Sequence, residues 1–173
     1  HKKYKKGKNM KALSSIYLFI LALTLGVEVA IGLSAPVLFR SDLYITPGTL
    51  SALQAGTLLA QVFMKYNYIA LFCGFFALLF EIFSWRGSEA SFGLKLSTLM
   101  LSLIIAVLAC LFYYFTSYIT AVAALGESAL DENFARIHEA SETTLKIAMI
   151  ARLGLFFLRA KISVFAPLKS GSK

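Results

Sequence analysis

Apolar and polar positions alternate along the chain in long blocks. From Leu13 to Phe39 an apolar stretch carries a single charged residue, Glu28, and it is long enough for one helix to cross the roughly 30 Å hydrocarbon core of a bilayer. Further apolar runs follow at about 66–85, 96–125 and 143–160. The last is short for a crossing, so its helix is expected to start near Asp131, in the acidic stretch 126–143, and to enter the membrane partway along. The pattern predicts an all-α protein, an integral membrane four-helix bundle. It divides into a basic, flexible lead (1–12), one transmembrane helical domain (13–162) and a short tail (163–173).

One stretch fits a span less well. After the break RSDLYITP (40–47), Thr46 is placed as an N-cap and Pro47 at the first helical position. In the segment 48–65, Ser51, Gln54, Gln61 and Lys65 then recur on one helical face. This predicts an additional amphipathic helix that lies in the interface or lines a cavity, with direct continuation into the next span as the third arrangement. Small residues at intervals of four, Gly26, Ala30 and Ser34 in the first run and Ser102, Ala106 and Cys110 in the third, are placed for close helix contacts. Tyr66 and Tyr68 at one end of the second span and Trp85 at the other read as aromatic belts, and Glu81, one turn from Trp85, is expected to reach headgroup water.

Composition agrees. Charged residues make up 15% of the chain against about 25% in soluble domains, which disfavours a water-soluble core. The net charge of +8 comes largely from flanks, with Lys2, Lys3, Lys5, Lys6, Lys8 and Lys11 before the first span and Arg159, Lys161, Lys169 and Lys173 after the last. Such clusters attract anionic lipid headgroups and orient the protein, so membrane lipids, not nucleic acid, are the expected contact. With four spans, both termini and the 86–95 hairpin fall on the cytoplasmic side. The first run is too long for a signal-peptide core and Pro36 disfavours cleavage, so it is read as an uncleaved span. Cys73 and Cys110 both lie in apolar runs and are read as small buried hydrophobes.

Candidate chemistry is sparse. Glu28 and Arg152 are the most deeply placed ionisable groups, differing in depth by roughly 9 Å on a 1.5 Å rise, which an arginine side chain can span. They form a candidate intramembrane ion pair, with the polar face at Gln54 and Gln61 as a source of hydration. Such a pair either fixes helix register, the favoured reading, or forms a proton- or cation-sensitive site. His138 is single apart from terminal His1, which disfavours paired haem ligation. A metal site from His138, Glu142 and Asp131 has only helical spacing behind it, and Met and Cys residues lack a copper motif, so neither metal nor cofactor is expected. No nucleophile with a base in reach and no phosphate-binding loop points to an enzyme.

Two stretches carry a resemblance. Ala35 to Phe39 (APVLF), Ala55-Gly56, Phe63 and Tyr66, together with the F-x-x-I-H-x-x-S pattern of Phe134, Ile137, His138 and Ser141, resemble domain-of-unknown-function family 4149, bacterial relatives of eukaryotic transmembrane protein 205. The resemblance implies a four-span helical protein of unassigned biochemical role, its eukaryotic relative being linked to platinum-drug resistance, with an outer-face motif at Phe134, His138 and Ser141. Where members tend to carry Asn four residues after that Ser, this chain has Leu145. The combined expectation is a bacterial inner-membrane scaffold or accessory subunit, with a protein partner or a second copy of itself. A small transporter or channel-like protein for a metal ion or other cation is the alternative.

Overall fold

The computed structural model describes residues 2–86 and 90–165, the side chains of residues 2–11, 52, 127, 164 and 165 excepted. Four long helices dominate: α1 (Lys2–Phe39), α2 (Ala52–Ser84), α3 (Phe92–Ala123) and α4 (Glu132–Phe165). They run up, down, up, down, and each packs on its sequence neighbours while α1 closes the ring against α4. Within α1, residues 12–39 are apolar and long enough to cross a membrane, as are 53–84 in α2 and 92–123 in α3. Helix α4 is long enough at 34 residues but is not among them, because Lys146, Arg152, Arg159 and Lys161 interrupt its apolar stretch.

Buried positions recur at alternating steps of four and three. On α1 they are Tyr17, Leu21, Thr24, Glu28 and Ile31; on α3, Thr98, Ser102, Ile105, Ala109, Phe112, Thr116 and Ile119. That spacing keeps one face of each helix against its neighbours along its whole length. Helices α2 and α3 approach closely at Gly74, where an added Cβ would lie 3.0 Å from the Cα of Ala106. Ser102 and Ala106 of the small-residue series therefore lie at a close helix contact, while Cys110 is exposed. The series on α1 faces the other way: Gly26, Ala30 and Ser34 are exposed, on the side opposite Glu28.

The expected separate helix at 48–65 is replaced by one continuous helix, α2, that begins at Ala52 and runs through 65 without a break. Pro47 and Gly48 form a turn in place of a helix start: the Thr49 amide donates to the Thr46 carbonyl at 3.2 Å and Gly48 has φ +82°, the proline–glycine arrangement of a type II turn. The cap is Ser51. Its hydroxyl accepts from the Gln54 amide, and the Gln54 side chain accepts from the Ser51 amide, a capping box that satisfies two orphan donors. At the other end of the bundle the lead expected to be flexible continues α1 as helix from Lys2. Helix α4 starts where expected, with the Asp131 carboxylate accepting from the Phe134 amide at 2.8 Å. Residues 166–173, with the tail residues Pro167, Lys169 and Lys173, lie outside the described residues, as does His1.

Candidate functional site

Glu28 enters the site because it occupies an inward position of α1, one turn from Thr24, whose hydroxyl donates back to the Ile20 carbonyl and is thereby satisfied within its own helix. Arg152 holds the matching position on α4 between buried Ala148 and Leu155. The Arg152 guanidinium donates through Nη1 to Glu28 Oε1, and the Tyr66 hydroxyl on α2 donates to the same oxygen. Nη1 also lies 3.4 Å from the Tyr66 hydroxyl. The carboxylate and guanidinium are essentially without solvent exposure, so their attraction acts in a low-dielectric interior, where charge-assisted hydrogen bonds are strongest and unpaired charge is most costly. Three helices are joined at one oxygen. The second carboxylate oxygen, Glu28 Oε2, has no hydrogen-bond partner among the described residues.

That oxygen belongs to a residue lining a cavity of about 610 Å³ between the C-terminal half of α1, the N-terminal halves of α2 and α4, and the C-terminal half of α3. Its walls are mainly apolar, including Leu59, Phe63, Phe112 and Ile119. The lining residues of α2 and α3 are buried or half-buried, whereas Val29 and Leu33 on α1 and His138, Glu142 and Lys146 on α4 are exposed. The mouth therefore lies between α1 and α4. On its α4 rim, Glu142 pairs with His138 at 3.5 Å and with Lys146 at 3.3 Å, exposed pairs one turn apart that hold little energy.

A second buried ionic cluster sits nearer the N-terminus of α1. Arg159 Nε approaches Glu81 at 3.5 Å and Nη2 donates to the Ser84 hydroxyl at 2.7 Å. Its guanidinium lies 4.6 Å from the Phe80 ring centroid, and Phe80 stacks on Tyr17 at 4.2 Å, an arrangement in which the ring face attracts the cation. Glu81 is 3% exposed, so it does not reach headgroup water as its position near Trp85 implied; Arg159 is buried in the same way and draws it inward. A third polar contact, Asn67 Nδ2 donating to Thr116 Oγ1 at 2.5 Å, ties α2 to α3.

Of the expected site residues, Glu28 and Arg152 meet directly. Gln54 and Gln61 are exposed and lie outside the residues that line the cavity, and Gln54 is engaged in the helix cap. In their place stands Tyr66, expected in an aromatic belt and found 2% exposed on the ion pair. The signal for it was the step pattern Tyr66, Ala70, Cys73, Ala77, Phe80, which places the tyrosine on the buried face of α2. His138 and Ser141 line the cavity, while Phe134 lies outside the lining with its ring parallel to His138 at 6.2 Å. Cys73 is buried and Cys110 exposed, and no group of three or more His, Cys, Asp or Glu among the described residues is placed to hold a metal ion.

A family described as Domain of unknown function (DUF4149) matches residues 19–128. The chain belongs to this family. The match covers α1 from Phe19 through α3, and so includes Glu28, Tyr66 and the APVLF stretch, whereas Arg152 and the Phe134, His138 and Ser141 pattern lie beyond it. No curated protein and no solved structure matches the chain. For this DUF4149 member the site is therefore read from its own geometry.

Proposed function

We propose that the chain is a small, non-enzymatic membrane scaffold or accessory subunit, with both termini on the cytoplasmic side of a bacterial inner membrane. The observation that carries this reading is the Glu28–Arg152–Tyr66 cluster. The deepest charges of α1 and α4 neutralise one another across the bundle and fix three helices in register, a role buried pairs serve better than they serve stability. Beyond the cluster the cavity walls are mainly apolar, whereas conduction of an ion needs successive polar ligands along its path. The exposed Gly26, Ala30 and Ser34 face of α1 supports a partner helix, from another protein or a second copy, approaching from outside.

The alternative, a transporter or channel-like protein for a metal ion or other cation, draws on the unpartnered Glu28 oxygen beside the cavity and on the charged rim. Reconstitution of the purified chain into liposomes separates the two. A scaffold gives no flux of monovalent or divalent cations above empty vesicles, and Glu28→Gln lowers its unfolding temperature. Cation flux that is lost in Glu28→Gln with helix packing intact would establish the transporter.

A further inference from the structure

We infer that the cavity between α1 and α4 holds one acyl chain of a phosphatidylethanolamine, whose phosphate rests on Lys146 and whose ammonium rests on Glu142. The inner part of the cavity offers a ligand only hydrocarbon contacts. Glu28 lines it, yet its side chain is fully covered, with Oε1 taken by Arg152 and Tyr66. Thr116 also lines it, but its hydroxyl donates to the Phe112 carbonyl at 2.8 Å and accepts from Asn67 at 2.5 Å. What remains is a space of about 610 Å³ walled by Val29, Leu33, Leu59, Phe63 and Phe112, within the roughly 300–1,000 Å³ range of small-molecule sites. A buried water needs two to four polar partners, whereas an alkyl chain needs none.

Charge stands at the outer end. Helices α1 and α4 run antiparallel from the Glu28–Arg152 contact. Glu142, ten residues before Arg152, is therefore level with Leu38, ten residues after Glu28, about 15 Å from the contact at 1.5 Å per residue. At that level the apolar run of α1 gives way to Arg40, Ser41 and Asp42, the depth at which lipid headgroups begin. Lys146 lies one turn deeper and points its ammonium to Glu142 at 3.3 Å. The mouth between α1 and α4 faces outward from the bundle, so a chain enters sideways from the bilayer while its headgroup stays at the rim. The order of charge then selects the headgroup. A phospholipid with its chain in the cavity carries phosphate on the chain side and ammonium further out, and α4 presents the base inside and the acid outside in the same order. The Glu142–Lys146 contact is exposed on both sides, 55% and 71%, and such pairs hold little energy, so it opens readily to two ligand contacts. Phosphatidylglycerol brings a phosphate for Lys146 and no cation for Glu142. Phosphatidylcholine matches in charge but has no N–H to donate to the carboxylate.

The inference goes beyond the scaffold reading, and its test involves neither flux nor a protein partner. The purified chain in a mild detergent is titrated with dioleoyl phosphatidylethanolamine, phosphatidylcholine and phosphatidylglycerol, and bound lipid is counted by native mass spectrometry. One phosphatidylethanolamine per chain is expected, held at least about tenfold more tightly than the other two, equivalent to about 1.4 kcal/mol. Glycerophosphoethanolamine, the same headgroup without chains, should not displace it. Glu142→Gln should abolish the preference over phosphatidylcholine with one lipid still bound, and Ala60→Phe, which fills the cavity from its α2 wall, should abolish the bound lipid. Equal retention of the three lipids, preference for phosphatidylglycerol, displacement by glycerophosphoethanolamine, an undiminished preference in Glu142→Gln, or a lipid still held by folded Ala60→Phe overturns the inference. If Ala60→Phe does not fold, the lipid competition on the unaltered chain and on Glu142→Gln decides.

Discussion

Arg152 and Arg159 lie about two helical turns apart on α4, and each meets a buried glutamate from another helix, yet their surroundings differ. Arg159 is enclosed: Phe80 and Tyr17 cover its guanidinium, Ser84 accepts from it, and Glu81 comes from α2. Arg152 is as deeply buried but among polar partners, with Tyr66 and Glu28 meeting its guanidinium and the cavity lined by Glu28 alone of the three. The contribution of α1 differs accordingly. At Arg159 that helix supplies an aromatic ring, and at Arg152 it supplies the acid itself. Apolar packing holds α1 in both halves, around Tyr17, Leu21 and Leu155 toward its N-terminus and through Val27, Ile31, Ala35 and Leu38 toward its C-terminus, and the ion pair joins it to α4 between the two clusters.

The comparison breaks most visibly at the Arg152 cluster. Arg152→Leu leaves Glu28 buried and unpaired and should cost about 3–5 kcal/mol, the range for removing one partner of a buried pair, read as a lowered unfolding temperature in detergent with α1 released first. Arg159→Leu should cost less, because Glu81 lies three residues from the end of α2 at Ser84 and can turn toward headgroup water once its partner is gone. Equal losses would show that the aromatic enclosure makes no difference. Tyr66→Phe removes one hydrogen bond to Glu28 and should cost about 1 kcal/mol, in line with hydrogen bonds between membrane helices. The smallest effect is expected at the rim, where Glu142→Gln breaks two exposed contacts worth at most about 0.5 kcal/mol in thermal unfolding.

Four apolar blocks were enough to read the helix count, the up-down order and the start of α4, because a bilayer demands long apolar helices whatever their neighbours. Glu28 and Arg152 were legible for the same reason: charge at that depth must find a partner. What did not follow from the blocks depended on which face each helix turns inward. Tyr66 and Glu81 near span ends look like interface residues when position along the axis is considered alone. Their places on the four-three step pattern of α2, beside Ala70 and Ala77, put both inside. Pro47 misled because proline opens a helix and a type II turn equally well, and Gly48 at positive φ decided for the turn. The cavity had no sequence signal, since its walls are assembled from all four helices.

The central claim is that Glu28 and Arg152 act as one unit joining α1 to α4. A double-mutant cycle of Glu28→Gln and Arg152→Gln, followed by unfolding in a mild detergent, measures that unit directly. Each single change should be strongly destabilising and the double change should recover most of the loss, giving a coupling of several kcal/mol, since removing both charges leaves neither one stranded. Losses that simply add in the double variant would show that the two residues do not depend on each other and would contradict the clamp.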